Sequence, residues 1–365
     1  MLENVLFHIV RRAAPATLAV VLATMVPLAW AGAGDDADAR HGTHAASAPV
    51  WSTAATEGGP HARHENAFVA LDGRLYLLGG RGQRPLDIFD PASGRWREGA
   101  PPPLEIHHVQ AVAHAGRLYV VGAFTGDFPE ESPLDHVLVY DPASDRWSRG
   151  PEVPAHRRRG AAGAVAHEGR LYLVGGNTRG HLSGYVPWLD ELDLASGQWR
   201  ALADAPHPRD HFHAVVLDGR LYAAGGRRTS HDTGDTLGLT IPQVDVYDFA
   251  SGRWQTLEAP LPTPRAGAAA VAMDGRLLVL GGESARQVPG HAEVEAYDPA
   301  AARWTALAPL PRGRHGTQAT MLGKALHIAA GSGDRGGGPE LADHLVFARP
   351  QPDVPPGPVA PSRPE

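Results

Sequence analysis

One unit recurs through most of this chain: two apolar runs hinged on an acidic residue and a glycine. The clearest copies are Val69-Ala70-Leu71-Asp72-Gly73-Arg74-Leu75-Tyr76-Leu77-Leu78-Gly79-Gly80 and Val215-Val216-Leu217-Asp218-Gly219-Arg220-Leu221-Tyr222-Ala223-Ala224-Gly225-Gly226. Asp-Gly between apolar runs signals a β-hairpin, because the two-residue turn that matches strand twist needs positive φ at both central residues. A third run follows and ends in Phe89-Asp90-Pro91-Ala92-Ser93-Gly94-Arg95-Trp96 or a near relative, as at Tyr140 to Trp147 and Tyr247 to Trp254. A short fourth run starts at that tryptophan and stops at prolines, as in Ala100-Pro101-Pro102-Pro103 and Ala308-Pro309-Leu310-Pro311. The unit is four short antiparallel strands, which must stack on neighbouring copies to bury their faces.

The small pairs that end the second strand fall at Gly79-Gly80, Gly122-Ala123, Gly175-Gly176, Gly225-Gly226, Gly281-Gly282 and Ala330-Gly331. The tryptophans fall at 51, 96, 147, 199, 254 and 304, so successive gaps are 45, 51, 52, 55 and 50. A period near 50 with four strands, a double glycine and a late tryptophan resembles the kelch family, over residues 50–347. The resemblance implies an all-β, six-bladed propeller with four antiparallel strands per blade. Its phase carries a further expectation. Trp51 precedes the first hairpin, while the last third strand, near His344 to Phe347, has no tryptophan after it. The ring therefore closes when Val50 to Ala54 completes the last blade, which also protects sheet edges. Each repeated tryptophan is expected to be buried between blades.

Composition sets the remaining bounds. The 43 Gly and 33 Pro fit many strands and tight turns. A net charge of −7 argues against a nucleic-acid partner. Residues 1–31 read as a signal peptide, with Arg11 and Arg12 ahead of an apolar run and Ala29-Trp30-Ala31 as the small-x-small cleavage pattern. Residues 32–49 read as a flexible linker and 348–365 as a Pro-rich disordered tail. The expectation is an exported monomer, periplasmic or extracellular, with no stable membrane insertion after cleavage. There is no Cys, which removes disulfides and Cys-based metal sites. It also excludes the Cys-Tyr copper-radical cofactor of the oxidases that share kelch propellers.

Turns between first and second strands are minimal, whereas the loops between second and third strands are long and individual: Phe124 to His136, Asn177 to Asp190, Arg227 to Gln243 and Glu283 to Ala292. Long loops on a rigid scaffold tend to carry function. The segments entering each innermost strand lie at the same end. They read Arg63-His64-Glu65-Asn66, Ile106-His107-His108-Val109, Arg158-Arg159-Gly160-Ala161, Arg209-Asp210-His211-Phe212-His213, Arg265-Ala266-Gly267 and Arg314-His315-Gly316-Thr317. Ring closure gathers these residues around one axis. A kelch repeat also carries an arginine here that can fasten one blade to the next, so the arginines have a structural reading beside the functional one.

Three functions fit such a mouth. The first is binding of a small polar ligand, acidic or carbohydrate-related, by Arg63, His64, His107, His108, Arg159, Arg209, Asp210, His213, Arg265, Arg314 and His315, with converging guanidiniums suited to carboxylates. Phe124, Phe128, Tyr185 and Trp188 offer a stacking wall. In an enzyme of the same layout, Glu65 or His211 would act as general base in isomerase, epimerase or lyase chemistry. Exported kelch propellers include a sialic acid epimerase of this architecture, although none of its motifs maps here residue by residue. The second is a His-bound transition metal, with no cofactor as the primary expectation and His108, His211, His213 and His315 as the alternative ligand set. The third is a protein-interaction scaffold.

Overall fold

The computed structural model describes residues 48–350. The segment read as a signal peptide, nearly all of that read as a linker, and residues 351–365 of that read as a tail lie outside the described residues. The described chain is six four-stranded antiparallel sheets arranged as blades. Each blade runs from an innermost strand A to an outermost strand D. Blade 1 is Asn66–Leu71, Arg74–Gly79, Leu86–Asp90 and Arg95–Gly99. Blades 2 to 5 open with Ala111–His114, Gly163–His167, Ala214–Leu217 and Ala269–Met273. Blade 6 joins Ala319–Leu322, Ala325–Ala329 and His344–Ala348 to Val50–Thr53 from the other end of the chain. Trp51 pairs with Phe347 in that last ladder, so the circular closure expected from the repeat phase is present. Among the described residues the only helices are two single 3-10 turns, Ala155–Arg157 and His231–Thr233, and none is long and apolar enough to cross a membrane.

The hairpin turns have the expected geometry: Asp72 and Gly73 both have positive φ, as do Asp218 and Gly219. The core is divided into six clusters, one between each pair of adjacent blades. Leu78 and Tyr76 of blade 1 pack with Val120 and Tyr140 of blade 2, and Phe68 and Leu77 pack with Ala329 of blade 6 across the closing seam.

The tryptophans correct one expectation. All six are half-exposed, because strand D is the outer rim and only one face of each indole reaches the neighbouring blade. They do lie between blades. The indole N–H of Trp147 donates to the Ala100 carbonyl of the preceding blade at 2.8 Å, Trp254 to Ala203 at 2.8 Å, and Trp51 to Ala308 at 2.9 Å.

The small pair explains how blades meet. A Cβ on Gly79 would sit 2.6 Å from the Ile106 carbonyl, and one on Gly175 would sit 2.5 Å from that of Arg209. That close approach lets the next residue bond across the seam: Gly176 N–H donates to Arg209 O at 2.8 Å, and Gly226 N–H to Arg265 O at 2.9 Å.

Candidate functional site

Each entry segment contributes three consecutive residues that point in different directions. The first is the arginine (Ile106 in blade 2). The third has a left-handed backbone in every blade: φ is 58° at Glu65, 52° at His108, 51° at Ala161, 53° at His211, 60° at Gly267 and 65° at Gly316. These six third residues line the axis, and backbone bonds link several of them around it, such as His108 N–H to Glu65 O and Gly267 N–H to His211 O. Non-glycine residues in this conformation each cost about 1 kcal/mol or more. Glycine and alanine occupy three of the positions. The other three carry Glu65, His108 and His211, long ionisable groups that fold stability alone does not require.

The first residues correct the sequence expectation. Arg63, Arg159, Arg209, Arg265 and Arg314 are among the most buried side chains in the protein. Each guanidinium turns away from the axis into its own blade. It binds the carbonyl at the first of the small pair, with Arg63 donating to Gly79 O, Arg159 to Gly175 O, Arg209 to Gly225 O, Arg265 to Gly281 O and Arg314 to Ala330 O. It also pairs with an acid on strand C or just before it: Asp87, Asp190, Asp245, Glu295 and Asp343 respectively. These are blade clamps, and most of their donors are already engaged within the blade, although Arg209 Nε and Arg314 Nε are buried without a partner. Burial lowers the Arg159 pKa to about 10, against the opposing pull of Asp190, so the cation persists.

Three other predicted ligands also sit behind the surface. Asp210 accepts from His211 Nδ1 and from both the Thr229 hydroxyl and Thr229 N–H, so it orients His211. His107 is fully buried, with Nε2 donating to Gly126 O at 3.0 Å and Nδ1 2.7 Å from His108 Nδ1. His213 lies below the ring beside a cavity of about 20 Å³. Gln110 crosses the channel there, bonded to Ala164 of blade 3 and Ala214 of blade 4.

Above the ring the channel opens into a basin of about 560 Å³. Its lining includes His64, Glu65, His108, His315 and Phe128 from the predicted residues, and Arg81, Asp127, His181, Arg227 and Glu283 from outside them. The opposite mouth, about 360 Å³, is walled by Val69, Ala70, Val112, Ala113 and equivalent small residues of the inner strands. Ionisable chemistry is thus concentrated at the entry end. Of the four predicted aromatics, Phe128 alone lines the basin. Phe124 is buried, Trp188 lies under the Arg157 guanidinium at 4.3 Å, and Tyr185 stays within the Ser183–Tyr185 strand of a rim ribbon.

The wall is a set of paired charges. Arg81 reaches Glu131 at 2.6 Å, His64 Nδ1 reaches Glu340 at 2.9 Å, and Arg227 pairs with Glu283. Glu65 stands between His108 Nε2 at 3.5 Å and His315 Nδ1 at 3.7 Å. Burial raises the Glu65 carboxyl, but His315 and His64 outweigh it and hold it below its ordinary value. Burial, followed by the charge of Arg227, pushes the His211 imidazole down despite Asp210. His211 Nε2 faces His181 Nε2 at 3.1 Å, and its ring belongs to a buried cluster.

Arg81, Arg227 and Glu283 had a readable signal that the entry segments obscured. Each directly follows the small pair, and the six equivalent residues are Arg81, Phe124, Asn177, Arg227, Glu283 and Ser332. Five of these six pair with the second entry residue of their blade, as in Asp210 with Arg227 and Ala266 with Glu283. His181 and Glu131 had no such signal. They lie in loops unique to blades 3 and 2, brought together because His181 N–H donates to the Pro129 carbonyl at 3.0 Å.

Six four-stranded blades, a small pair at each seam and a clamped entry arginine in five of six blades define a kelch-type β-propeller with a largely aliphatic mouth at one end and an ionisable mouth at the other. The chain belongs to the kelch family: the sequence model of the KLHDC2/KLHL20/DRC7 Kelch-repeats domain matches residues 111–331. Kelch-like protein terF of Aspergillus terreus (strain NIH 2624 / FGSC A1156) is 27% identical over 300 residues, covering 77% of this chain and 64% of that protein. Kelch-like protein 35 of Mus musculus is 31% identical over 195 residues, 52% of this chain and 30% of that protein. The chain thus spans less than two thirds of the length of these curated relatives. The solved structure titled "Structure of YjhT" superposes with a TM-score of 0.68 at 17% identity, covering 80% of this chain and 97% of that one. At that identity the likeness is one of fold.

Proposed function

We propose that this chain is an exported binding propeller that takes a small, polar, carbohydrate-related ligand in its entry mouth. The observation that carries this reading is the basin of about 560 Å³ lined by ionisable groups, nearly all of them buried or half-buried, within the size range of small-molecule sites, about 300–1,000 Å³. The lining shifts the ligand chemistry away from a purely anionic one. Cations in the wall already hold carboxylates, so the site offers alternating donors and acceptors, which suit hydroxyl groups. Phe128, 52% exposed, supplies an apolar face against which a sugar ring can stack. A thermal-shift panel of neutral sugars, uronic acids and sialic acids tests the reading. At least one member should raise the wild-type Tm, and Phe128→Ala should shrink that shift. If no member acts, or if the variant responds identically, the reading fails.

A protein partner at the same rim is the second reading. Kelch proteins commonly mediate protein interactions, and the large exposed apolar side chains Phe128 and Val288 both stand on entry-end loops. It would be favoured if the wild type ignores the panel while a protein bound by the wild type is lost from a Phe128→Ala, Val288→Ser variant.

A further inference from the structure

Three imidazoles meet at the floor of the mouth, and their other contacts dictate which nitrogens carry protons. His181 Nδ1 lies 2.8 Å from Glu131 Oε1, and an ionised carboxylate only accepts, so Nδ1 is the protonated nitrogen and Nε2 is a bare lone pair. His211 Nδ1 is fixed in the same way by Asp210. For His108 the effect is relayed. His107 Nε2 must donate to the Gly126 carbonyl, which leaves His107 Nδ1 an acceptor, so His108 Nδ1 donates to it at 2.7 Å. All three Nε2 atoms are therefore lone pairs. The ligand atoms of His108, His181 and His211 lie within 4.8 Å of one another, and those of His181 and His211 are only 3.1 Å apart. Two lone pairs at that distance in a buried site repel unless a cation lies between them.

We propose that His108, His181 and His211 bind one divalent transition-metal ion through their Nε2 atoms, with the open coordination position facing the mouth. Two nitrogens held at about 2.0–2.1 Å from one zinc-like ion stand about 2.8–3.4 Å apart between octahedral and tetrahedral geometry, which brackets the His181–His211 spacing. Imidazole donors suit zinc, copper, iron and nickel. The carboxylates on the far nitrogens are the outer partners that metal-binding histidines usually have, and both are themselves anchored: Glu131 by Arg81 and the His181 N–H, Asp210 by Thr229. His108 and His181 reach the basin, and Glu65 stands beside His108 Nε2 at 3.5 Å. The set differs from the one expected from sequence. His315 Nε2 donates to the Asp334 carbonyl at 2.9 Å, and His213 sits beneath the ring, so neither belongs to it.

The inference goes beyond sugar binding and is tested without any organic ligand, so either reading can fail alone. Tag-free full chain is stripped with a chelator, dialysed against zinc chloride and measured by elemental analysis, with cobalt(II) absorption as a second readout. We expect about one equivalent of zinc, visible cobalt bands, and a rise in Tm with zinc. His181→Gln should lose at least tenfold in affinity while keeping the wild-type circular dichroism spectrum. Glu131→Gln, which leaves all three imidazoles in place, should weaken binding about 10–100-fold. His231→Gln, an exposed imidazole outside the set, should still bind one equivalent. Less than a tenth of an equivalent on folded wild type, or undiminished binding by both His181→Gln and Glu131→Gln, overturns the proposal.

Discussion

Replacing Arg265 by Met asks whether the entry arginines hold blades or ligands. Its guanidinium is fully buried and donates to the carbonyls of Gly281 at 2.5 Å, Thr263 at 2.6 Å and Val279 at 2.9 Å, besides pairing with Glu295. Methionine fills much of the volume but leaves Glu295 without its cation and takes a donor from three carbonyls. Breaking one side of a buried ion pair costs about 3–5 kcal/mol. With an unfolding entropy of about 2.1 cal/mol/K per residue over roughly 300 residues, 1 kcal/mol moves Tm by about 1.6 °C, so the expected loss is about 5–8 °C. The assay is differential scanning calorimetry beside urea titration at pH 7. Much of the cost is the stranded carboxylate, so Arg265→Met with Glu295→Leu should be more stable than Arg265→Met alone. A drop under about 2 °C for the single variant, or a double variant no better than the single, would refute the clamp. A ligand-binding arginine would instead leave Tm nearly untouched.

Trp51 carries the ring closure. Its ring centroid lies 4.9 Å from that of Phe347, and with one face exposed its truncation to alanine should cost about 2 kcal/mol, below the figure for a fully buried tryptophan. By the same entropy that is about 3 °C in Tm, whereas the exposed neighbour Ser52→Ala should change little. Equal shifts for the two would mean the seam contributes nothing.

Acid stability gives another check. Burial, then the charge of His327, lowers the His344 pKa to about 3, and burial lowers His327 to about 4. His344 is packed among Phe68, Phe89 and Trp96. Both imidazoles stay neutral in the fold while the unfolded chain takes up protons below about pH 6.5. The unfolded state therefore binds more protons, and the full stability present above pH 6.5 is lost as pH falls toward 4 and below, by about 1.4 kcal/mol per pH unit for each group. His344→Leu should flatten the urea-derived stability slope between pH 6 and 4 by about that amount. An unchanged slope would show that His344 is not held neutral.

The repeat made the fold legible. Short apolar runs, the glycine turns between them and the spaced tryptophans specify four strands per blade, and the position of Trp51 specifies how the ring ends meet. The glycine of the turn and the tryptophan recur in all six units, and the aspartate before the glycine in three, so each copy supports the others. The entry segments were found by the same alignment, and Glu65, His64, His108 and His315 do reach the mouth. Which way each entry side chain points was not legible. The left-handed residue at the third position breaks strand alternation, sending Glu65, His108 and His211 onto the axis while Arg63, Arg159, Arg209, Arg265 and Arg314 turn back into their blades. Half-exposure of the tryptophans likewise follows from strand D being outermost, a fact of radial position.

The blade and its count can be read along the chain, because they rest on pairings between strands close in sequence, and the phase of the repeat, with Trp51 ahead of the first hairpin, carries the closure even though its ladder joins Trp51 to Phe347 at the other end of the chain. The site, by contrast, is set by how the folded blades and their loops come together. His181 and Glu131 belong to loops with no counterpart in other blades, and they meet His211 and His108 only because rim loops of adjacent blades lie side by side above the axis. The bare Nε2 atoms depend in part on the sequence neighbours Asp210 and His107, but also on the Glu131 carboxylate and the Gly126 carbonyl, which come from elsewhere in the chain and which no spacing encodes.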